Sequence, residues 1–223
     1  KPVPPQLDWD LWLGPAPEAP YTAARVHFNF RWVEDYAPGY ITDWGAHFLD
    51  VAQWGHGSDD TTPVEVHARK VTRRERGIYD APESFEIDYR YANGVTMTMF
   101  STTDTDRWGV KFVGTEGWVF TENDRLDTHP ESLRRLRLDD APIKLYVSNH
   151  HHRNFIDAVL NRGQTAAPVE TAHRAATCCH LGTISATLGR PLTFDPKTES
   201  FPGDAEANAL CHRPMRGAWS LEA

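Results

Sequence analysis

Two carboxylates and an imidazole stand at Asp43, Asp50 and His47, inside a stretch, residues 40–55, that predicts a helix. At about 100° per residue, these three and Trp54 fall within roughly 60° of one another. Asp43 and His47 have the i, i+4 separation at which helical side chains meet. A carboxylate beside an imidazole favours its protonated form and fixes its orientation, which suits a general acid–base group near neutral pH. The same spacing also describes a helix whose polar side faces water, with Asp43 as a first-turn acid favourable to the helix dipole. Two features weigh against that reading. Trp54 on the ridge is odd for a solvated face, and Gly39 and Gly45 cost helix stability while permitting close approach of another chain or a ligand. Trp44, Phe48, Val51 and Ala52 form a separate apolar arc, expected to face the core. Arg31 and Trp32, just upstream, are placed to grip a hydroxylated ligand by hydrogen bonds and stacking, or to pack an ordinary corner of the core.

Other chemistry-bearing residues are weaker candidates. Three adjacent histidines in Asn149-His150-His151-His152 cannot share one helical face and make a poor three-ligand metal site. His173 and His180 lie on one helix face, where packing is the expected role. His47, Asp43, Asp50 and His56 would be the set for a divalent cation, but no metal is expected. Cys178 and Cys179 read as buried free thiols, with Cys211 remote. The sequence contains no G-x-G-x-x-G opening a βαβ unit, no P-loop, no G-x-S-x-G and no C-x-x-C pair.

The elements that must position these groups follow from periodicity. Residues 1–24 are rich in proline and tryptophan and read as an extended arm, not a helix. Arg25 to Val33 alternates and predicts a strand, as does Val64 to Val71. From Ser84 to Thr102 the alternation is interrupted by Asn93-Gly94, which predicts a two-residue hairpin turn with Tyr91 facing Thr96, Tyr89 facing Thr98 and Ile87 facing Phe100. The second face of that hairpin then carries Glu86, Asp88 and Arg90 opposite Met99, Met97 and Ser101, an amphiphilic surface suited to a subunit contact. Further strands are expected near 109–114 and 117–121, and helices over 149–162 and 169–188, the last stopped by Leu188-Gly189-Arg190-Pro191. Strands in the middle and helices at both ends give an α+β domain over 25–223, with a mostly antiparallel sheet and helices on one face.

With 223 residues, 40% of them hydrophobic and eight tryptophans, the chain can bury one sizeable core. A net charge of −8 argues against a nucleic-acid surface. No apolar run reaches the roughly 20 residues of a membrane span. The chain opens at Lys1 without a signal-like segment, which leaves the compartment open, the cytoplasm being the default and export not excluded.

The segment Asp35 to Trp54, DYAPGYITDWGAHFLDVAQW, resembles the C-terminal domain of the glucose–fructose oxidoreductase / inositol dehydrogenase / rhizopine-catabolism family of dehydrogenases. LDWDLWLGPAP near the start, FRW before the helix, HHHRNFIDAVLNRG and the closing LGRPLTFDP extend the likeness over nearly the whole chain. The resemblance implies a large open antiparallel sheet, often used for oligomer contacts, and chemistry at a cleft shared with a dinucleotide-binding domain. The family's acid–base aspartate and histidine map onto Asp43 and His47. The usual glycine run before the catalytic helix is reduced here to Ala37-Pro38-Gly39. Together these imply the substrate half of an NAD(P)-dependent sugar or polyol dehydrogenase, working as a homo-oligomer. In it His47 moves the hydroxyl proton, Asp43 orients it, Arg31, Trp32, Tyr40 and Asp50 bind substrate, and a domain missing from this chain holds NAD or NADP. Two rival expectations are a cofactor-independent lyase or hydrolase, with or without a metal, acting on an oxidised sugar, and a non-catalytic oligomerisation module.

Overall fold

Strand β1 (Glu65–Thr72) pairs antiparallel with β2 (Ser84–Arg90), which turns back into β3 (Thr96–Phe100). A second antiparallel ladder contains β4 (Val110–Gly114), β5 (Gly117–Glu122) and β6 (Arg125–His129). A two-residue strand, β7 (Leu192–Thr193), closes the first sheet, whose order is β3-β2-β1-β7. The helices are α1 (Trp9–Leu13), α2 (Asp43–His56), α3 (His151–Asn161), α4 (Val169–Leu188) and α5 (Ala205–Ala209). This computed structural model describes residues 1–104, 107–139 and 141–220. The α+β class and its antiparallel sheets agree with the sequence reading; β6, β7 and α5 carried too little periodicity to be anticipated.

The hairpin turns at the expected place with a different register. Tyr91 N–H donates to Val95 O at 2.9 Å, and Gly94 takes φ +87° while Asn93 does not enter the left-handed region. A two-residue Asn-Gly turn of the favoured type needs positive φ at both positions; here Ala92, Asn93 and Gly94 form a three-residue loop instead. The one-residue slip flips every β3 side chain. Tyr89 now opposes Met97 and Ile87 opposes Met99, while Arg90, Asp88 and Glu86 oppose Thr96, Thr98 and Phe100. The outer face is therefore an ion-pair ladder rather than the methionine-bearing surface expected: Arg69 reaches Asp88 at 2.7 Å and Glu86 at 3.0 Å, Lys70 reaches Glu86 at 2.9 Å, and Arg90 pairs with Glu65.

The inner face of this sheet packs under α4. Val66, Ala68, Phe85, Ile87 and Tyr89 meet Leu181 and Ile184, with Phe194 and Phe201 sealing one end. β1 bulges between Ala68 and Lys70, and the buried Ser185 on α4 repairs the ladder there. Its Oγ accepts from Ala68 N at 2.8 Å and donates to Arg190 O at 2.9 Å, so buried backbone groups beside the bulge stay hydrogen-bonded. The Tyr89 hydroxyl lies in the same layer, 1% exposed as a residue and, among the described residues, without a hydrogen-bond partner. Burial pushes its pKa well above the usual tyrosine value. Since an unpaired buried hydroxyl costs roughly 1–3 kcal/mol, Tyr89→Phe is expected to raise the unfolding free energy by about 1 kcal/mol or more. Urea denaturation checks this, and a lowered midpoint with unchanged slope would mean the hydroxyl has a bridging water.

Two segments depart from the sequence reading for local reasons. Residues expected as a strand over 25–33 form a 3-10 helix, His27–Trp32. Three residues per turn place Arg31 over Phe28, guanidinium to ring centroid 4.0 Å, and Trp32 O accepts the backbone N–H groups of Asp80 and Ala81 in place of a neighbouring strand. In the N-terminal arm, Asp8 caps a single helical turn, α1, by accepting from Leu11 N at 3.0 Å. The arm is fixed by Trp9 stacked on Trp12 at 4.7 Å, by Trp12 against Tyr36, and by Arg216, which pairs with Asp10 at 2.6 Å and donates to Gly14 O.

Candidate functional site

Helix α2 begins with Asp43 in its first turn and ends at Gly57, whose φ of +72° stops it. Its buried residues are Gly45, Leu49 and Gln53, so the helix is rotated relative to the expected arc of Trp44, Phe48, Val51 and Ala52. The physical reason is close approach. A Cβ on Gly45 would lie 2.7 Å from Met99 Cε, and one on Gly55 would lie 2.3 Å from the Phe112 ring. The glycines thus serve contacts within this chain: Gly45 admits β3, Gly55 admits β4, and Gly39, at φ +67°, admits Ala81. Trp44 is left 42% exposed as a result.

The helix's far end is held by a buried amide. Gln53 Nε2 donates to Ser58 O at 3.1 Å and Thr61 O at 2.9 Å, and its Oε1 accepts from Ser58 Oγ and from the Tyr91 hydroxyl. His56, which the sequence reading considered only as a cation ligand, lies against Ser58 Oγ at 3.1 Å and the Asn93 amide at 3.1 Å. It belongs to this anchor. Gln53 escaped the sequence reading because a lone amide carries no spacing signal.

The ridge stands clear of that packing. His47 is exposed, and among the described residues neither ring nitrogen has a hydrogen-bond partner; its ring lies 5.6 Å from that of Trp44. Asp43 is held from the 3-10 helix, with Arg31 Nε 3.1 Å from its Oδ2. The Arg31 N–H does not point at that oxygen, so this buried nitrogen makes an ion pair without a hydrogen bond. Asp50, three residues beyond His47, has its carboxyl pKa raised by partial burial and by the charge of Asp59, with His47 pulling it back down. His47 and Asp50 therefore interact electrostatically, and Asp43 interacts with Arg31. Tyr40 is 40% exposed and meets Trp32 edge-on at 4.6 Å. Chemically, the ridge offers an accessible imidazole between two carboxylates, one tethered to a guanidinium.

Elsewhere the candidate histidines disperse. His150 caps α3 by accepting from Arg153 N at 3.1 Å, and His173 pairs with Glu199 at 2.8 Å on the surface rather than in packing. Cys178 and Cys179 are buried free thiols whose pKa values burial raises, that of Cys179 to about 12. Among the described residues, no group of three or more His, Cys, Asp or Glu converges as a metal-holding cluster, and no helix is long and apolar enough to cross a membrane. Every strand pairing is antiparallel, and among the described residues no strand runs through a glycine-rich loop into a helix. The cradle that a dinucleotide pyrophosphate requires is not formed by these residues.

A family model described as "Oxidoreductase family, C-terminal alpha/beta domain" matches residues 1–221. None of the curated protein sequences compared matches the chain. Among solved structures, a NAD-binding protein from Listeria innocua is similar, with TM-score 0.51, 17% identity, and 75% of this chain and 51% of that one covered. The WlbA dehydrogenase from Bordetella pertussis, in complex with NADH and UDP-GlcNAcA, is similar with TM-score 0.52 and 16% identity over 74% of this chain and 48% of its own. A levoglucosan dehydrogenase in complex with NADH and L-sorbose gives TM-score 0.52 and 16% identity over 74% and 52%. At these identities the likeness is one of fold, and the chain spans about half the length of the structures it matches.

Proposed function

Because the chain belongs to the glucose–fructose oxidoreductase / inositol dehydrogenase / rhizopine-catabolism family, as its C-terminal alpha/beta domain, we propose that it is the substrate-binding and proton-transfer half of an NAD(P)-dependent sugar or polyol dehydrogenase. The observation that carries this reading is the exposed imidazole of His47, set one helical turn from Asp43 and coupled to Asp50. A sugar hydroxyl approaching the ridge meets His47 as the group that takes its proton on oxidation and returns it on reduction. Asp50, three residues along α2, sets a carboxylate on the same face of the helix as the imidazole. Arg31 fixes Asp43 from the adjacent 3-10 helix, and Asp43, Tyr40 and Trp32 offer the carboxylate and ring faces that orient the sugar. The residues present do not fit a dinucleotide, so the nicotinamide and the hydride it carries are assigned to a dinucleotide-binding domain outside these 223 residues. The ion-pair face of β1–β3 is the proposed contact with a second copy.

The polypeptide that joins this domain to such a partner domain is expected to reduce NAD(P)+ with a sugar or cyclitol, followed by NAD(P)H absorbance. The 223 residues alone are expected to give no turnover and only weak cofactor binding by titration. Micromolar cofactor affinity in this chain by itself would contradict the division of labour.

A further inference from the structure

The arc of α2 next to the ridge looks into a cavity of about 1690 Å³ between α2, β3, β4 and β5. Aromatic rings lead into it from the ridge: His47 lies 5.6 Å from Trp44, and Trp44 lies 5.7 Å from Trp108. Trp118 stands on another wall of the same space. Two cations are held over these rings, the Arg107 guanidinium 4.6 Å from the Phe100 centroid and the Lys111 ammonium 4.2 Å from that of Trp118. Among the described residues neither has a carboxylate partner. The acids that line the cavity do: Glu83 is paired with Arg74, and Asp127 with Arg125.

This combination has a chemical reading. Flat indole faces suit the apolar faces of pyranose rings, and their edges leave the sugar hydroxyls in water. Two cations that have no carboxylate partner among the described residues, on a chain of net charge −8, make a local positive wall that an anion would satisfy. The volume exceeds the roughly 300–1,000 Å³ typical of small-molecule pockets, which leaves room for more than one sugar ring.

We propose that the cavity is an extended subsite for a saccharide of more than one ring that carries an anionic group, phosphate or carboxylate, at the end remote from His47. The rings lie along Trp44 and Trp108, and the anion meets Lys111 and Arg107. The placement of the reacting end rests on His47 being the acid–base group; the binding itself does not.

The test is tryptophan fluorescence and calorimetric titration of the full-length protein with three probes: trehalose, trehalose 6-phosphate and trehaluronate, the disaccharide with one C6 oxidised to a carboxylate. The phosphate-bearing or carboxylate-bearing probe is expected to bind about tenfold or more tightly than trehalose, with a preference that falls as salt rises. Whichever of the two binds tightest identifies the anion. The double substitution Lys111→Gln with Arg107→Gln is expected to abolish the preference with the unfolding midpoint unchanged, and Trp108→Ala to weaken all binding in protein that is still folded. Equal affinity for neutral and anionic probes, or a preference that survives the double substitution, would overturn the proposal. His47→Ala separates the two readings: it is expected to stop turnover while leaving the anionic preference intact, so a failure at the ridge and a failure in the cavity are read independently.

Discussion

Replacing His47 with alanine is expected to lower kcat of the full-length enzyme by about 10²–10⁴-fold, the range contributed by a positioned general acid–base group. That corresponds to about 2.7–5.5 kcal/mol of transition-state stabilisation. On the proposed acid–base role of His47, the effect should fall on kcat more than on KM, because such a group's interaction with the reacting proton develops in the transition state. Stability should not change, since the ring is exposed and among the described residues makes no hydrogen bond. Steady-state kinetics with a sugar substrate, beside a thermal unfolding curve, checks both halves of the expectation. Asp43→Asn is expected to act differently. It leaves Arg31 beside a neutral amide instead of its paired carboxylate, so substrate affinity and the geometry of the 3-10 helix should suffer along with turnover. A His47→Ala enzyme that turns over as the wild type does would remove the acid–base assignment entirely.

The second large effect concerns the layer that carries α2. Gly182 on α4 sits where a Cβ would come 2.4 Å from the Tyr89 hydroxyl and 3.1 Å from Ile87 Cδ1. Both neighbours are buried, Ile87 at 0% and Tyr89 at 1% exposure, so neither can swing away. Gly182→Val is expected to destabilise the protein by roughly 1–3 kcal/mol or more, by forcing the helix off the sheet. Valine is a slightly better helix former than glycine, which offsets only roughly a few tenths of a kcal/mol of that loss. A double-mutant cycle identifies the cause. Against a Tyr89→Phe background, the milder Gly182→Ala should cost measurably less than in the wild type, because the atom it meets has gone. Equal costs in the two backgrounds, read as urea midpoints, would mean the close approach to Tyr89 is not what requires glycine.

Where local chemistry decides a feature, the sequence reading and the structure coincide. Helix α4 runs from Val169 to Leu188 as expected, because Pro168 precedes it and Gly189 adopts the left-handed conformation that stops it. The β4 and β5 segments likewise lie where strands were expected, near 109–114 and 117–121 on either side of Thr115-Glu116. Misreadings arise where a choice of one residue or one rotation depends on distant partners. The hairpin register turned on whether Asn93 took positive φ, and the answer came with its amide placed against His56, 37 residues away. Residues 27–32 have strand-like alternation, yet their backbone found Asp80 and Ala81 instead of a strand.

By itself the sequence determined the family, the antiparallel α+β class and the ridge of Asp43, His47 and Asp50, because helical spacing is fixed by the backbone whatever surrounds it. Tertiary structure alone decided that Asp43 is held by a guanidinium, Arg31, from the preceding 3-10 helix. It also decided that α2 turns Trp44 toward a cavity rather than the core, since the approach of Met99 and Phe112 to Gly45 and Gly55 sets that rotation. Contacts between residues far apart in the chain have no period to betray them, and it is those contacts that aim a side chain.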